Sequence, residues 1–112
     1  MTIEGPVKLL RVYIGEATKW HGQPLYMAIL LEARERGLAG GTVLHGVAGY
    51  GANSVIHTAN ILRLSEDLPM VIEFVDNAEK IQAFLPVLDE MVQEGLILLL
   101  DAELVHYRSS KG

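Results

Sequence analysis

Gly49 and Gly51 flank Tyr50 in the run GGTVLHGVAGYGANS. Glycines let consecutive backbone N–H groups turn toward one anion with no side chain in the way, so a Gly-Tyr-Gly turn leaving a strand is a candidate phosphate cradle. The run lacks the third glycine of a dinucleotide fingerprint and the Lys-Ser/Thr pair of a Walker loop, and the same glycines would also serve a plain turn. Near the other end of the chain, His106 and Arg108 stand two apart. On a strand that spacing sends both side chains to one side. Arg108 can then grip a phosphate with two N–H groups, and His106 adds charge once protonated; the alternative is two solvent-facing residues near a frayed terminus. Arg63 offers a further contact to a phosphate or a partner, or is a plain surface charge. Arg11 and Lys8 are three apart on one predicted strand, hence on opposite faces, so at most one of them faces a cleft. For Tyr50 three uses stay open: stacking on a base, meeting a target, or packing the root of the loop.

Other chemistries find less support. His21, His45 and His57 are separated by 24 and 12 residues and have no paired carboxylate beside them. That matches no tight ligand spacing, so no metal is expected. Glu66-Asp67, Glu79, Asp89-Glu90 and Glu94 are scattered acids that suit solvated helix faces. Nothing pairs a nucleophile with a base and an orienting group, which points away from an enzyme.

The elements that must hold these residues follow from pattern and punctuation. Val7 to Ile14 is rich in β-branched and aromatic types after Pro6 and predicts a first strand. Pro24 and the apolar spacing through Leu25, Ile29 and Leu31, stopped by Gly37, predict a helix over about Gln23–Arg36. Gly40-Gly41 opens a second strand, Thr42 to Val47, and the long Gly-punctuated stretch that follows reads as a mobile, functional excursion or an extended hairpin. Pro69 to Val75 predicts a third strand, ended by an Asp76-Asn77 pair that can cap a second helix. In that helix Ile81, Phe84, Leu85, Leu88 and Val92 share a face, and Pro86 predicts a kink or a restart. After Gly95, Leu96 to Tyr107 predicts a fourth strand. The order βαββαβ is that of an α+β, ferredoxin-like fold, a four-stranded antiparallel sheet with two helices on one face. Runs such as VIEFV and LILLL carry few charges, so the second sheet face should be covered by other subunits.

Composition agrees. The chain has 112 residues, 50% hydrophobic, with 9 Lys+Arg against 14 Asp+Glu and no cysteine. One small domain is expected, and a mean hydropathy of +0.27 is high for a chain that buries under about 70% of its unfolded surface. A net charge of −5 argues against a nucleic-acid partner, since that affinity comes from many Lys and Arg contacts. The start MTIEGPVKLL has no signal-peptide pattern, and the apolar stretch Leu96–Leu100 is far short of a membrane span. A cytoplasmic location without membrane insertion is expected.

The pattern T-V-x-x-G-x-x-G-Y-G at Thr42, Val43, Gly46, Gly49, Tyr50 and Gly51, with a long loop directly afterwards, resembles the PII signalling family. It is more closely similar to the PII-like group known as domain of unknown function 190. That resemblance rests on Ile14-Gly15-Glu16, Lys19, His21-Gly22, Pro24-Leu25, Gly49-Tyr50-Gly51, Leu64-Ser65-x-Asp67-Leu68-Pro69 and Val75-Asp76, and covers about Lys8 to Tyr107. The resemblance implies a homotrimer with an adenine nucleotide in each intersubunit cleft. It further implies regulation of a target protein, such as a membrane channel or transporter, through a T-loop at about 47–62. Thr42 and Gly49 to Gly51 would line the site, His106 and Arg108 would sit near phosphate, and Arg11, His57 and Arg63 would be further ligand or partner contacts. PII proteins carry a basic, glycine-rich loop before the last strand; here that junction is Gln93-Glu94-Gly95-Leu96, without Lys or Arg, which favours AMP or ADP over ATP. Two rival readings are a nucleotide-independent trimeric scaffold and a small enzyme in the intersubunit cleft. Pull-down of a partner with and without nucleotide separates out the first, and product analysis after incubation with ATP the second.

Overall fold

The computed structural model describes residues 3–50, 57–58 (as backbone) and 68–108. Its elements in chain order are β1 (Val7–Gly15), β2 (Lys19–Trp20), β3 (Gln23–Pro24), α1 (Leu25–Glu35), β4 (Gly41–His45), β5 (Ala48–Gly49), β6 (His57–Thr58), β7 (Pro69–Asn77), α2 (Ala78–Met91) and β8 (Leu96–Ala102). The long strands form one antiparallel sheet in the order β4-β7-β1-β8. With α1 and α2 as the crossovers, this is the ferredoxin-like arrangement that the element order predicts.

One face of the sheet makes the core. Successive strand residues point to opposite faces, so Leu10, Val12 and Ile14 of β1 and Met70, Ile72 and Phe74 of β7 all turn inward and are buried. The helices answer with Leu25, Ala28, Ile29 and Ala33 on α1 and with Ile81, Phe84, Leu88 and Met91 on α2. These recur at helical spacing. Phe74 and Phe84 meet edge to face at 5.7 Å, an arrangement that aromatic quadrupoles favour.

Among the described residues Asp76 is the buried charged one, at the end of β7. Its carboxylate accepts from the backbone N–H of Ala39 (2.9 Å) and of Asn77 (2.7 Å). It therefore pins the connection between α1 and β4 to the third long strand. Asn77 is the cap of α2, its side chain accepting from the Lys80 N–H at 2.8 Å. The Asp-Asn pair thus divides two jobs.

Several predicted boundaries shift, each for a local reason. Gln23 and Pro24 do not begin the helix; they pair with Trp20 and Lys19 as a hairpin, turned by His21 and Gly22 with φ of 49° and 85°. Positive φ at both central residues gives the turn whose twist suits a two-residue hairpin. The second strand covers Gly41–His45 rather than Thr42–Val47, because the next ladder partner is Pro69, whose carbonyl accepts from Gly46 (2.7 Å) but which has no N–H to return. α2 runs uninterrupted through Pro86 with no restart, since its apolar face packs on both sides of the missing hydrogen bond. Val92 is the C-cap, and Met91 completes the buried face.

The fourth long strand stops at Ala102, so His106 and Arg108 are not on a strand and the expected strand geometry for them does not hold. β8 has one neighbour, β1, and β1 begins at Val7 opposite Ala102. Before Val7 stands Pro6, which cannot donate to a ladder.

Among the described residues no helix packs on the other sheet face. Register puts Thr42 and Leu44 of β4, Val71, Glu73 and Val75 of β7, Leu9, Arg11 and Tyr13 of β1, and Leu96, Leu98 and Leu100 of β8 on it. Leu44 is 49% exposed and Leu96 50%.

Replacing Asp76 with Ala should lower unfolding stability by about 1–3 kcal/mol, because two part-buried N–H groups lose their acceptor. Asn77→Ala should cost about 1 kcal/mol through the lost cap. Denaturant midpoints measure both, and an Asp76→Ala protein as stable as the parent would contradict the pinning role.

Candidate functional site

The excursion after β4 leaves and re-enters the fold through a narrow root. Two backbone hydrogen bonds close it: Gly46 N–H to Pro69 O at 2.7 Å, and Glu16 N–H to Leu68 O at 2.8 Å. Just beyond, Ala48 pairs with Thr58 and Gly49 with His57, so the chain goes out and returns as a two-residue ladder. His45 Nε2 lies 3.3 Å from Glu16 Oε1. That contact links the end of β4 to the turn after β1, so the root is clasped from both sides.

The glycines at this root have a physical cause. A Cβ on Gly46 would lie 2.6 Å from Pro69 Cγ and 3.0 Å from its carbonyl oxygen; one on Gly49 would lie 2.9 Å from the same ring carbon. Both distances are shorter than carbon atoms allow. Pro69 therefore sits in the space the two missing side chains leave. Neither glycine is among those with positive φ, so close approach rather than an unusual turn accounts for them. Beside them Val47 and Tyr50 are each 75% exposed. Tyr50 therefore does not pack the loop root, and its ring is open to a ligand or partner.

The other expected site residues are distributed as follows. Thr42 is exposed on the open face of β4, opposite Glu73. His106 and Arg108 are exposed in the segment after β8. Arg11 is on the open face, its Nε donating to Glu73 Oε2 at 2.7 Å. That hydrogen bond holds its guanidinium above the ordinary arginine range, against partial desolvation. Lys8 points the other way and pairs with Asp101. Gly51 and Arg63 lie outside the described residues, and of His57 only the backbone pairing is described. Among the described residues no three His, Asp or Glu come together as a metal-binding group, and no helix is long and apolar enough to cross a membrane.

Thus two groups emerge at opposite edges of one sheet. The glycine root and Thr42 belong to the β4 edge, and His106 and Arg108 follow β8 at the other. With β7 and β1 between, the edge strands are three inter-strand spacings apart, roughly 14 Å. The His45–Glu16 contact was missed by sequence reasoning, since 29 residues separate the partners and no local pattern marks them. The Arg11–Glu73 pair was missed likewise; only a correct strand register reveals it.

Comparison with known proteins adds the family. The DUF190 family, described as "Uncharacterized ACR, COG1993", matches residues 7–104. A UPF0166 protein of Aquifex aeolicus is 39% identical over 99 residues, 88% of this chain and 93% of that protein. Another, from Methanocaldococcus jannaschii, is 39% identical over 95 residues, 84% and 87% of the two chains. The chain belongs to the DUF190 family. Among solved structures, this DUF190 chain is similar to CPII of Thiomonas intermedia, a nitrogen regulatory PII-like protein bound to ADP, AMP and bicarbonate. The TM-score is 0.58 at 18% identity, covering 94% of each chain. A second structure of CPII, with ADP and bicarbonate, aligns with a TM-score of 0.57 at 18% identity, covering 94% of this chain and 95% of that one. At this identity the likeness establishes a PII-like fold, as the βαββαβ order and the Thr-Val-to-Gly-Tyr-Gly strand lead one to expect.

Gly49→Ala should destabilise the protein by about 1–3 kcal/mol through overpacking on Pro69. Pro69→Ala should restore most of that loss when combined with Gly49→Ala. It should restore less in a Gly46→Ala background, where the carbonyl of residue 69 stays in the way. Thermal unfolding of the four variants and the parent measures this, and equal rescue of both glycine variants would contradict the packing described.

Proposed function

We propose that this DUF190 protein is a PII-like regulator that binds an adenine nucleotide in clefts between copies of a homotrimer. Occupancy of the clefts is read by a target protein through the excursion at about 47–62. The carrying observation is the placement of the glycine root and the His106/Arg108 segment at opposite edges of the sheet. The elements that carry the two groups are the two edge strands of one sheet, and in the proposed ring the β4 edge of one copy meets the β8 edge of the next. The CPII structures, bound to ADP and AMP, support an adenine nucleotide as the ligand.

In this reading Gly49, Tyr50 and Gly51 receive the nucleotide, the glycines with backbone N–H groups and the exposed Tyr50 with its ring. Thr42 lies at the base of the site. Arg108 contacts phosphate with a two-pronged hydrogen bond, and His106 reinforces it when protonated. The junction Gln93-Glu94-Gly95-Leu96 carries no Lys or Arg, which favours AMP or ADP, with less charge to balance than ATP. Arg11, engaged with Glu73, is left to contacts between copies rather than to phosphate. His57 and Arg63 remain candidates for ligand or partner contacts. Regulation follows as a population shift: nucleotide stabilises one arrangement of the excursion, and the target binds that arrangement with a different affinity. The target is a protein, with a membrane channel or transporter as one class; no catalytic step is part of the proposal.

Titration calorimetry with AMP, ADP, ATP and cyclic AMP should give micromolar affinity for AMP or ADP, on the order of 8 kcal/mol of binding free energy. Arg108→Ala should weaken it by about 1.5–3 kcal/mol, as expected for a charged hydrogen bond. No binding of any of the four would overturn the nucleotide reading and leave the scaffold reading in its place. Light scattering should return about three times 12.3 kDa, as closed homo-oligomers require whole-number multiples; a stable monomer would contradict the shared cleft.

A further inference from the structure

The open face of the sheet is apolar except along one row and the Tyr13 hydroxyl beside it, which also interacts with Arg11. Register aligns Thr42 of β4, Glu73 of β7, Arg11 of β1 and Leu98 of β8 in a single row. On one side of it the row is Leu44, Val71, Tyr13 and Leu96; on the other are Val75, Leu9 and Leu100. A polar belt therefore crosses the middle of a leucine- and valine-rich surface. Its charges are already held: Arg11 Nε and Glu73 Oε2 are 2.7 Å apart, with side chains 29% and 28% exposed.

We propose that the Arg11–Glu73 belt is the register element of the contact between copies of this chain. The proposal rests on the assembly named under Proposed function and assigns it a residue-level determinant. A leucine surface alone buries equally well in many orientations and stoichiometries, because hydrophobic burial is non-directional. A guanidinium is directional. It has five N–H donors in a fixed fork, and covering the face strips water from those that Glu73 and Tyr13 do not occupy. Only packings that supply acceptors at that place avoid the penalty of a buried, half-satisfied charge. The occupant is a second copy because the belt is self-complementary: each copy brings one acid and one base side by side, so copies meet with no net charge buried. A foreign partner would need to reproduce the same alternation. The belt selects one assembly and is not a source of stability, since an ion pair in a covered face roughly breaks even against apolar residues of similar size.

The test compares the full-length parent with Arg11→Leu/Glu73→Leu and with Glu73→Gln by native mass spectrometry and sedimentation velocity, with far-UV circular dichroism as a fold check. The parent should show one stoichiometry. The double-leucine protein should still associate, but as several coexisting species. Glu73→Gln keeps the size of the side chain and leaves Arg11 without its counter-charge, so it should keep its circular dichroism while its dissociation constant rises at least about tenfold. A double-leucine protein with the single stoichiometry of the parent would overturn the register role while leaving the assembly itself intact. So would a Glu73→Gln protein that loses thermal stability but assembles as tightly as the parent, because the pair would then serve only the single chain. A monomeric parent would overturn the assembly reading and this proposal with it.

Discussion

A four-stranded sheet has two faces, and the described residues form two helices, both packed on one of them. Everything else follows from that inequality. The covered face collects Leu10, Val12, Ile72, Phe74, Ile81, Phe84 and Leu88, essentially removed from water. The uncovered face keeps Leu44, Leu96, Leu98 and Leu100 between 37% and 50% exposed, more contiguous apolar surface than a solitary domain usually shows. Among the described residues its edges have no further strand, and β8 in particular is a long apolar edge strand of the kind that natural proteins cover. In the proposed assembly, other copies of the chain cover this surface.

The same constraint organises the site. A site made within one chain would gather its residues at one place in the sheet, yet the glycine root follows β4 at one edge and the His106/Arg108 segment follows β8 at the other. Pro69 is the small piece of covalent geometry that shapes the first of these. It ends the β4 ladder for want of an N–H, accepts from Gly46, and fills the space that Gly46 and Gly49 leave. The excursion thus departs from a fixed point.

Much of this was legible in the sequence because it is local. β-Branched and aromatic types after Pro6 marked β1, Asp76-Asn77 marked the end of the third strand and the start of α2, and the composition of LILLL marked a face in need of cover. The losses occurred where a distant partner decides. β8 stops at Ala102 because β1 has run out beside it, a fact that Leu104, Val105 and Tyr107, good strand formers all, do not carry. Gln23-Pro24 looks like a helix start until Lys19-Trp20 is placed opposite. The glycines of the root pointed to an anion cradle by type alone; their dependence on Pro69 required the third dimension. Arg11 and Glu73 are 62 residues apart, and only the register between strands shows that they share a row.

The central claim is that each nucleotide cleft is shared between two copies, and subunit complementation tests it most directly. Gly49→Val protein and Arg108→Ala protein are prepared separately, then unfolded together and refolded as a mixture, and AMP and ADP binding is measured before and after. Each variant alone should bind weakly or not at all. In random mixed assemblies about one quarter of the clefts should pair an intact glycine root with an intact Arg108 and regain the affinity of the parent, as a head-to-tail contact requires. A mixture that binds no more than the sum of its two components would contradict a shared cleft.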